Sequence, residues 1–313
     1  MTLPRLPTAR LAACLAAASV ALAGCGAGDS GSPGSGAALP VVASFYPLQL
    51  AAEQVGGAHV RVPNLTKAGA EPHELELTPR DVAEVSKATL VVFEKGLAPA
   101  VDEAVAAEAP DRGLDVAPAA KLDLTFTPVE SGDPRPGGDR VTDPHFWLDP
   151  VRYAAVAQAV ADRLGTVDPA HRADYAANAR AFKARLAALD GEFRRGLAHC
   201  TSTSIVTSHN AFGYLARRYG MTQVGITGLS PEAEPEAATL ARVATYVKEH
   251  HVSTIYAETL VSPAIADTVA RETGARVATL DPLEGLTSSS SGADYFAVMR
   301  SNLAALRAGQ GCS

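Results

Sequence analysis

Residues 169–197 have the sequence PAHRADYAANARAFKARLAALDGEFRRGL, in which Ala, Arg and Leu recur and no Gly occurs before Gly191. These residue types favour a helix. Asp168 followed by Pro169 is typical of a helix start, with Asp as the cap and Pro in the first helical position. A helix of about 28 residues with a rise of about 1.5 Å per residue is about 42 Å long. We therefore predict one long helix that joins two lobes.

On both sides of this helix, short β-rich runs alternate with helical patterns. The strand candidates are residues 41–45, 59–63, 89–93 and 113–116 before the helix, and 204–207, 221–227, 254–257 and 276–280 after it. This alternation is typical of βαβ units and of parallel sheets. It predicts an α/β fold in which two lobes with mostly parallel sheets flank a cleft. The expected boundaries are an N-terminal lobe at 41–165, the linking helix at 166–198 and a C-terminal lobe at 199–313.

The N-terminus has the pattern of an exported lipoprotein. Arg5 and Arg10 precede an apolar run at 11–23 that is shorter than the roughly 20 residues of a membrane-spanning helix. The run ends in LAGC, which resembles a bacterial lipobox with Cys25 as the lipidated residue. We expect residues 1–24 to be a signal peptide and the Gly- and Ser-rich residues 25–40 to be a flexible tether. The expected location is the extracytoplasmic face of the cell membrane, with a lipid anchor.

Composition and charge exclude some classes of protein. The chain has 313 residues, 47% of them hydrophobic, and a net charge of −7, which is typical of a globular protein. Loss of the signal peptide would remove two Arg and no acid, so the charge would become −9. The acidic balance and the lack of a Lys/Arg cluster argue against nucleic-acid binding. We expect a monomer.

The remaining cysteines predict a disulfide. The chain has four cysteines, of which Cys14 lies in the signal peptide and Cys25 is the expected lipid site. Cys200 and Cys312 are left in an exported protein, where disulfides persist. We predict that they pair; two independent buried thiols are the alternative.

Four polar side chains lie where a ligand site is expected. Ligands of open α/β sheets bind beyond the carboxyl ends of the strands. His209 and Asp281 directly follow predicted strands, and His73 and His145 lie in loops that precede helices. Three imidazoles and one carboxylate suit tetrahedral Zn²⁺. No two of them share a short motif, so spacing alone leaves open that each histidine is structural and that Asp281 is a helix cap.

The chain also resembles a known family through a set of ordered motifs. These are EPHE at 71–74 followed by TPRD at 78–81, then 88–93, DPHFWLDP at 143–150, TSHNAFGYL at 207–215 and LDPL at 280–283. Together they resemble the zinc and manganese receptors of bacterial ABC importers, the ZnuA-type or TroA-like solute-binding lipoproteins.

The resemblance covers essentially the whole chain after the signal peptide and implies a function. It implies one metal held between two α/β lobes and delivered to a membrane permease. It also implies that the metal ligands are His73, His145, His209 and Asp281. Glu258 follows a predicted strand, and we expect it to support the ligands without binding the metal.

Three other functions remain open. Family members with Glu at the third ligand position tend to be manganese receptors, so His209 favours Zn²⁺ and leaves Mn²⁺ as the alternative cargo. Three His and a carboxylate-activated water are also a catalytic arrangement, as in an exported zinc hydrolase. The sequence has no HExxH motif and no Ser/His/Asp elbow. We therefore expect a receptor and not an enzyme, with a cell-surface adhesin on the same scaffold as a further alternative.

Overall fold

The computed structural model describes residues 38–126 and 140–313 of the chain, and these residues belong to one compact unit. The predicted signal peptide, the lipid site Cys25 and nearly all of the tether lie outside the described residues. Within the described part, every helix is too short or too polar to cross a membrane.

The N-terminal sheet contains four parallel strands in the order β2-β1-β3-β4. The strands are β1 (Leu39–Ala43), β2 (Val60–Arg61), β3 (Leu90–Phe93) and β4 (Gly113–Asp115). The helices that follow them are α1 (Tyr46–Gly56), α2 (Pro79–Lys87), α3 (Pro99–Glu108) and α4 (Ala117–Ala120). The central strands β1 and β3 are rich in Val and buried, as expected for a parallel sheet covered on both faces.

The C-terminal sheet repeats this arrangement with the order β10-β9-β7-β8, again fully parallel. Its strands are β7 (Ser204–Thr207), β8 (Thr222–Gly225), β9 (Thr254–Ala257) and β10 (Arg276–Thr279). Its helices are α7 (Gly213–Arg218), α8 (Ala237–Glu249), α9 (Ala264–Thr273) and α10 (Tyr295–Gln310). All eight predicted strands of the two sheets are present, and the predicted α/β class with parallel sheets is confirmed.

Along the chain, two helices lie between the strands of the two sheets. They are α5 (Pro150–Val167) and α6 (Arg172–Gly196). The predicted long helix is present as α6, which begins at Arg172, but the predicted cap by the Asp168 side chain is wrong. Residues 169–171 form a 3-10 turn, and the Asp168 side chain caps no backbone N–H. Its carboxylate instead accepts hydrogen bonds from His171 Nδ1 at 2.7 Å and from the Tyr175 hydroxyl at 2.6 Å.

A small antiparallel hairpin is not predicted by the strand pattern. It consists of β5 (Thr125–Phe126) and β6 (Val141–Thr142). The hairpin precedes the DPHFWLDP motif directly, and the Asp143 N–H donates to the Leu124 carbonyl at 2.9 Å. It therefore fixes the backbone where this motif begins.

The apolar core has a shared centre and two outer parts. The central cluster includes Phe45 from the N-terminal half, Phe182 from α6 and Tyr295 from α10, all nearly inaccessible to solvent. One outer cluster contains residues of the N-terminal half only, and the other contains residues of the C-terminal half only. The shared cluster places the carboxyl ends of strands from both sheets on one packed framework.

The predicted disulfide between Cys200 and Cys312 is present and links residues 112 positions apart in the sequence. Cys200 follows the end of α6, and Cys312 follows α10. Gly311, with φ of +63°, ends α10 in the left-handed region that glycine adopts without a steric penalty. The disulfide thus ties the last helix to the segment that leads into β7.

Candidate metal site

Three histidines and one glutamate, from both halves of the fold, converge on one point. His73 lies in the loop between β2 and α2, and His145 lies between β6 and α5. His209 follows β7, and Glu284 lies between β10 and α10. One ligand atom from each of these side chains lies within 4.8 Å of all the others. In the described part of the chain this is the only such group of His, Cys, Asp or Glu side chains that could hold a metal ion.

Five of the six distances between the ligand atoms of this group match the edges of a tetrahedron around zinc. The Nε2 atom of His145 lies 3.3 Å from His73 Nε2 and 3.4 Å from His209 Nε2. Oε1 of Glu284 lies 3.2, 3.6 and 3.3 Å from the Nε2 atoms of His145, His73 and His209. Zinc bonds of about 2.0–2.1 Å in a tetrahedron place neighbouring ligand atoms about 3.3–3.4 Å apart. The four atoms are therefore spaced for one small, four-coordinate cation.

Carboxylates orient two of the imidazoles. Nδ1 of His145 donates to Asp143 Oδ1 at 2.8 Å, and the same oxygen accepts the His145 backbone N–H at 2.9 Å. Nδ1 of His209 donates to Glu258 Oε2 at 2.6 Å, and the His209 backbone N–H donates to Glu258 Oε1 at 2.9 Å. Both rings therefore turn Nε2 toward the metal position and gain basicity from a carboxylate behind them. Glu258 thus contacts His209 and lies outside the group of four ligand side chains.

His73 is held differently. Its loop, residues 67–77, has no helix or strand, and its backbone N–H donates to Glu71 Oε1 at 3.0 Å. The His73 side chain is 8% exposed, whereas the other three ligand side chains are 0–1% exposed. The neighbouring Glu74 accepts a hydrogen bond at 2.8 Å from the hydroxyl of Ser230 in the C-terminal half. His73 is thus the ligand on the most accessible side of the site.

The structure does not bring the predicted ligand Asp281 into this group; the carboxylate there is Glu284. Asp281 Oδ1 accepts the backbone N–H of Leu283 at 2.8 Å, and both its backbone groups are hydrogen-bonded to the Asn302 amide. Leu283 then has φ of +59°, in the left-handed region that a branched side chain rarely adopts. This turn directs the next residue, Glu284, toward the imidazoles.

The sequence does contain a signal that favours Glu284 over Asp281 as the fourth ligand. Asp followed by Pro commonly forms a turn or a cap in which the Asp side chain bonds to the backbone two residues later. Asp281 does so, which leaves Glu284 as the next acid along the chain. The pattern does not reveal the positive φ of Leu283, which aims the Glu284 side chain.

The electrostatics of the site favour a cation. Burial by itself would raise the pKa of Glu284, but its contacts with the three histidines hold that pKa well below the ordinary value. Burial would lower the pKa of His209, but the nearby Glu258 and Glu284 raise that pKa to about 10. Glu284 Oε2 is a buried atom without a hydrogen-bond partner among the described residues. The site therefore stabilises positive charge, and a divalent cation must displace a proton from His209 to bind.

Comparison with known proteins places the chain among zinc-uptake proteins. A family model described as "Zinc-uptake complex component A periplasmic" matches residues 41–309. The "High-affinity zinc uptake system protein ZnuA" of Bacillus subtilis is 34% identical over 304 residues, which covers 94% of this chain and 95% of that protein.

Two matches concern a longer protein of Streptococcus pneumoniae. The "Zinc-binding lipoprotein AdcA" of serotype 4 is 37% identical over 284 residues, which is 86% of this chain and 55% of AdcA. The crystal structure of Zn(II)-bound AdcA superposes with a TM-score of 0.72 at 35% identity, over 87% of this chain and 58% of that one. The chain thus spans little more than half the length of these relatives.

Proposed function

The chain belongs to the family of the periplasmic component A of zinc-uptake complexes, and from this premise we propose that it is an extracytoplasmic receptor with high affinity for Zn²⁺. The receptor delivers the ion to an ABC-type metal importer in the membrane. A lipid on Cys25 anchors it to the outer face of that membrane, as the sequence at residues 22–25 indicates.

One observation carries this proposal, namely the near-tetrahedral spacing of the three Nε2 atoms and Glu284 Oε1. Four protein ligands complete the shell of a zinc ion, whereas catalytic zinc keeps one position for water or substrate. Glu258, the nearby carboxylate that could act as a base, already accepts two hydrogen bonds from His209. The arrangement therefore supports capture of the ion and not catalysis.

The donor types support zinc over manganese. Imidazole nitrogen suits Zn²⁺, whereas Mn²⁺ prefers carboxylate, carbonyl and water oxygens. Three of the four ligand atoms here are imidazole nitrogens, and only one is a carboxylate oxygen. We therefore propose His73, His145, His209 and Glu284 as the ligands of the transported Zn²⁺, with Mn²⁺ as the weaker competitor.

The position of the ligands suggests how capture works. Two ligands come from loops of the N-terminal half and two from loops of the C-terminal half, so one bound ion ties the halves together. The proton on His209 leaves when the metal binds, so that acid weakens binding. In this proposal the importer takes the ion from the accessible side of the site, where His73 lies.

Metal content and affinity test the proposal. We expect elemental analysis of the purified protein to find one equivalent of zinc, and competition titration to show tighter binding of Zn²⁺ than of Mn²⁺. His209→Ala should weaken Zn²⁺ binding by about tenfold or more, because it removes one of four ligands. His199→Ala, at an exposed histidine outside the site, is the matched control. Tighter binding of Mn²⁺, or an unchanged dissociation constant for His209→Ala, would contradict the proposal.

A further inference from the structure

Another buried acid, Glu94, lies outside the metal group, and no described residue is a partner that would stabilise its charge. It directly follows β3 and is 2% exposed. Neither of its carboxyl oxygens has a hydrogen-bond partner among the described residues. An ionised carboxylate in such a place lacks both the water and the hydrogen bonds that would stabilise it, which costs several kcal/mol.

Among the described residues, the charged groups that act on Glu94 are carboxylates from three different segments. They are Asp143 in front of α5, Asp115 at the end of β4 and Asp102 in α3. Lys95 is the lysine nearest to Glu94 in the sequence, but its positive charge interacts with Asp102, where it acts to lower the pKa. Each neighbouring acid therefore adds to the cost of a negative charge on Glu94.

The backbone N–H groups near Glu94 donate hydrogen bonds to the neighbouring acids. The N–H groups of Lys95 and Ala117 donate to Asp115 Oδ1 at 3.1 and 2.9 Å, and the N–H of Gly96 donates to Asp102 Oδ2 at 2.9 Å. Asp143 accepts two hydrogen bonds from His145. Each of these three acids thus accepts at least one hydrogen bond. Glu94 is the member of the group without one.

A metal ion is a poor explanation for the buried carboxyl. In the described ranges 38–126 and 140–313, the ligand atoms of at least three such side chains converge within 4.8 Å only at the His73 group. The side chains around Glu94 form no comparable cradle. A proton needs no such convergence of ligands.

We propose that Glu94 keeps its proton at neutral pH and lies in the folded protein as a neutral carboxylic acid, because its carboxyl group is buried and has no hydrogen-bond partner among the described residues. Burial first, and then the charges of Asp143, Asp115 and Asp102, raise the pKa of Glu94 well above its ordinary value. This proposal does not depend on the proposed function.

The proposal predicts a defined dependence of stability on pH. When the folded pKa of an acid is raised, the folded state keeps a proton that the unfolded state has released. Stability is then lost as the pH rises above the ordinary carboxylate range of about 4–4.5, until the folded pKa is reached. The loss for one proton is about tenfold in the folding equilibrium constant for each pH unit.

The experiment compares the unfolding equilibria of metal-free wild type and Glu94→Gln between pH 5.5 and 7.5. Gln has nearly the same shape but no proton to lose, so we expect wild type to lose about 100-fold in folding equilibrium constant relative to this variant over the two units. Glu103→Gln, on the exposed face of α3, is the matched control and should follow wild type. Parallel pH profiles for wild type and Glu94→Gln would overturn the proposal.

A second measurement applies if Glu94→Gln does not fold. Infrared spectroscopy of the wild type detects the C=O stretch of a protonated carboxyl, and we expect this band to persist at neutral pH and to disappear only in alkaline solution. Absence of the band at neutral pH would overturn the proposal. Both measurements use metal-free protein, so a failure of zinc binding would reject the proposed function without deciding the protonation of Glu94.

Discussion

Two glutamates in this molecule have almost the same burial and opposite surroundings. Glu284 is 1% exposed and faces three imidazoles, whereas Glu94 is 2% exposed and faces three carboxylates. The histidine contacts hold the pKa of Glu284 well below its ordinary value, and burial with the acidic neighbours raises that of Glu94. Burial therefore does not decide whether a carboxyl is charged; the groups around it do. The surroundings of Glu284 favour binding of a cation, and those of Glu94 favour retention of a proton.

The largest expected effect concerns the charged member of this pair. Glu284→Gln should weaken Zn²⁺ binding by at least about 100-fold, more than the loss of a residue that only supports a ligand, because it removes the one negative charge in the group. Asp281→Asn should change the affinity by less than about threefold, since its amide oxygen can still accept the Leu283 N–H. Competition titration of both variants measures the difference.

The same titration can reverse our assignment of the fourth ligand. If Asp281→Asn weakens zinc binding more than Glu284→Gln does, Asp281 is the ligand that the resemblance implied. Thermal unfolding of both metal-free variants is the control, because Asp281 also holds the turn before Glu284.

A smaller effect is expected when a carboxylate that orients a ligand loses its charge. Glu258→Gln should weaken Zn²⁺ binding by about 10- to 100-fold. Gln can accept only one of the two hydrogen bonds that His209 donates to Glu258. Glu249→Gln, at the exposed end of α8, is the matched control for the change in net charge. Equal affinities of Glu258→Gln and wild type would show that the orientation of His209 does not depend on this carboxylate.

The smallest effect is expected for Asp143. This residue connects the two regions because it contacts His145 and because its charge raises the pKa of Glu94. Asp143→Asn removes one of the charges that hold the proton on Glu94. In this background the effect of Glu94→Gln on stability at pH 8 should therefore be smaller, by up to about tenfold in the folding equilibrium constant.

A double-mutant cycle of Asp143→Asn and Glu94→Gln, measured by denaturant unfolding of metal-free protein, gives this coupling. Additivity within about 0.5 kcal/mol would mean that the two side chains do not interact. The comparison of the two glutamates would then describe two independent regions.

Local patterns in the sequence predict the regular elements well. The predicted strands at 204–207 and 254–257 have the same bounds in the structure, because a short β-rich run between helical patterns leaves few alternatives. The start of α6 is the instructive exception. Asp168 followed by Pro169 is a good capping signal. In the structure, however, the Asp168 carboxylate accepts hydrogen bonds from the side chains of His171 and Tyr175 and not from the backbone.

The sequence by itself therefore determined the α/β class, the long helix, the cysteine pair and three histidines in the segments between the helices and strands. Each of these depends on residue types and their order along the chain. Only the tertiary structure decided that Glu284 and not Asp281 meets the imidazoles, and that Glu94 lies among acids. Those facts depend on the left-handed turn at Leu283 and on side chains brought together from distant segments. Charge interactions act through space, so the chain order alone does not encode which buried acid holds a cation and which holds a proton.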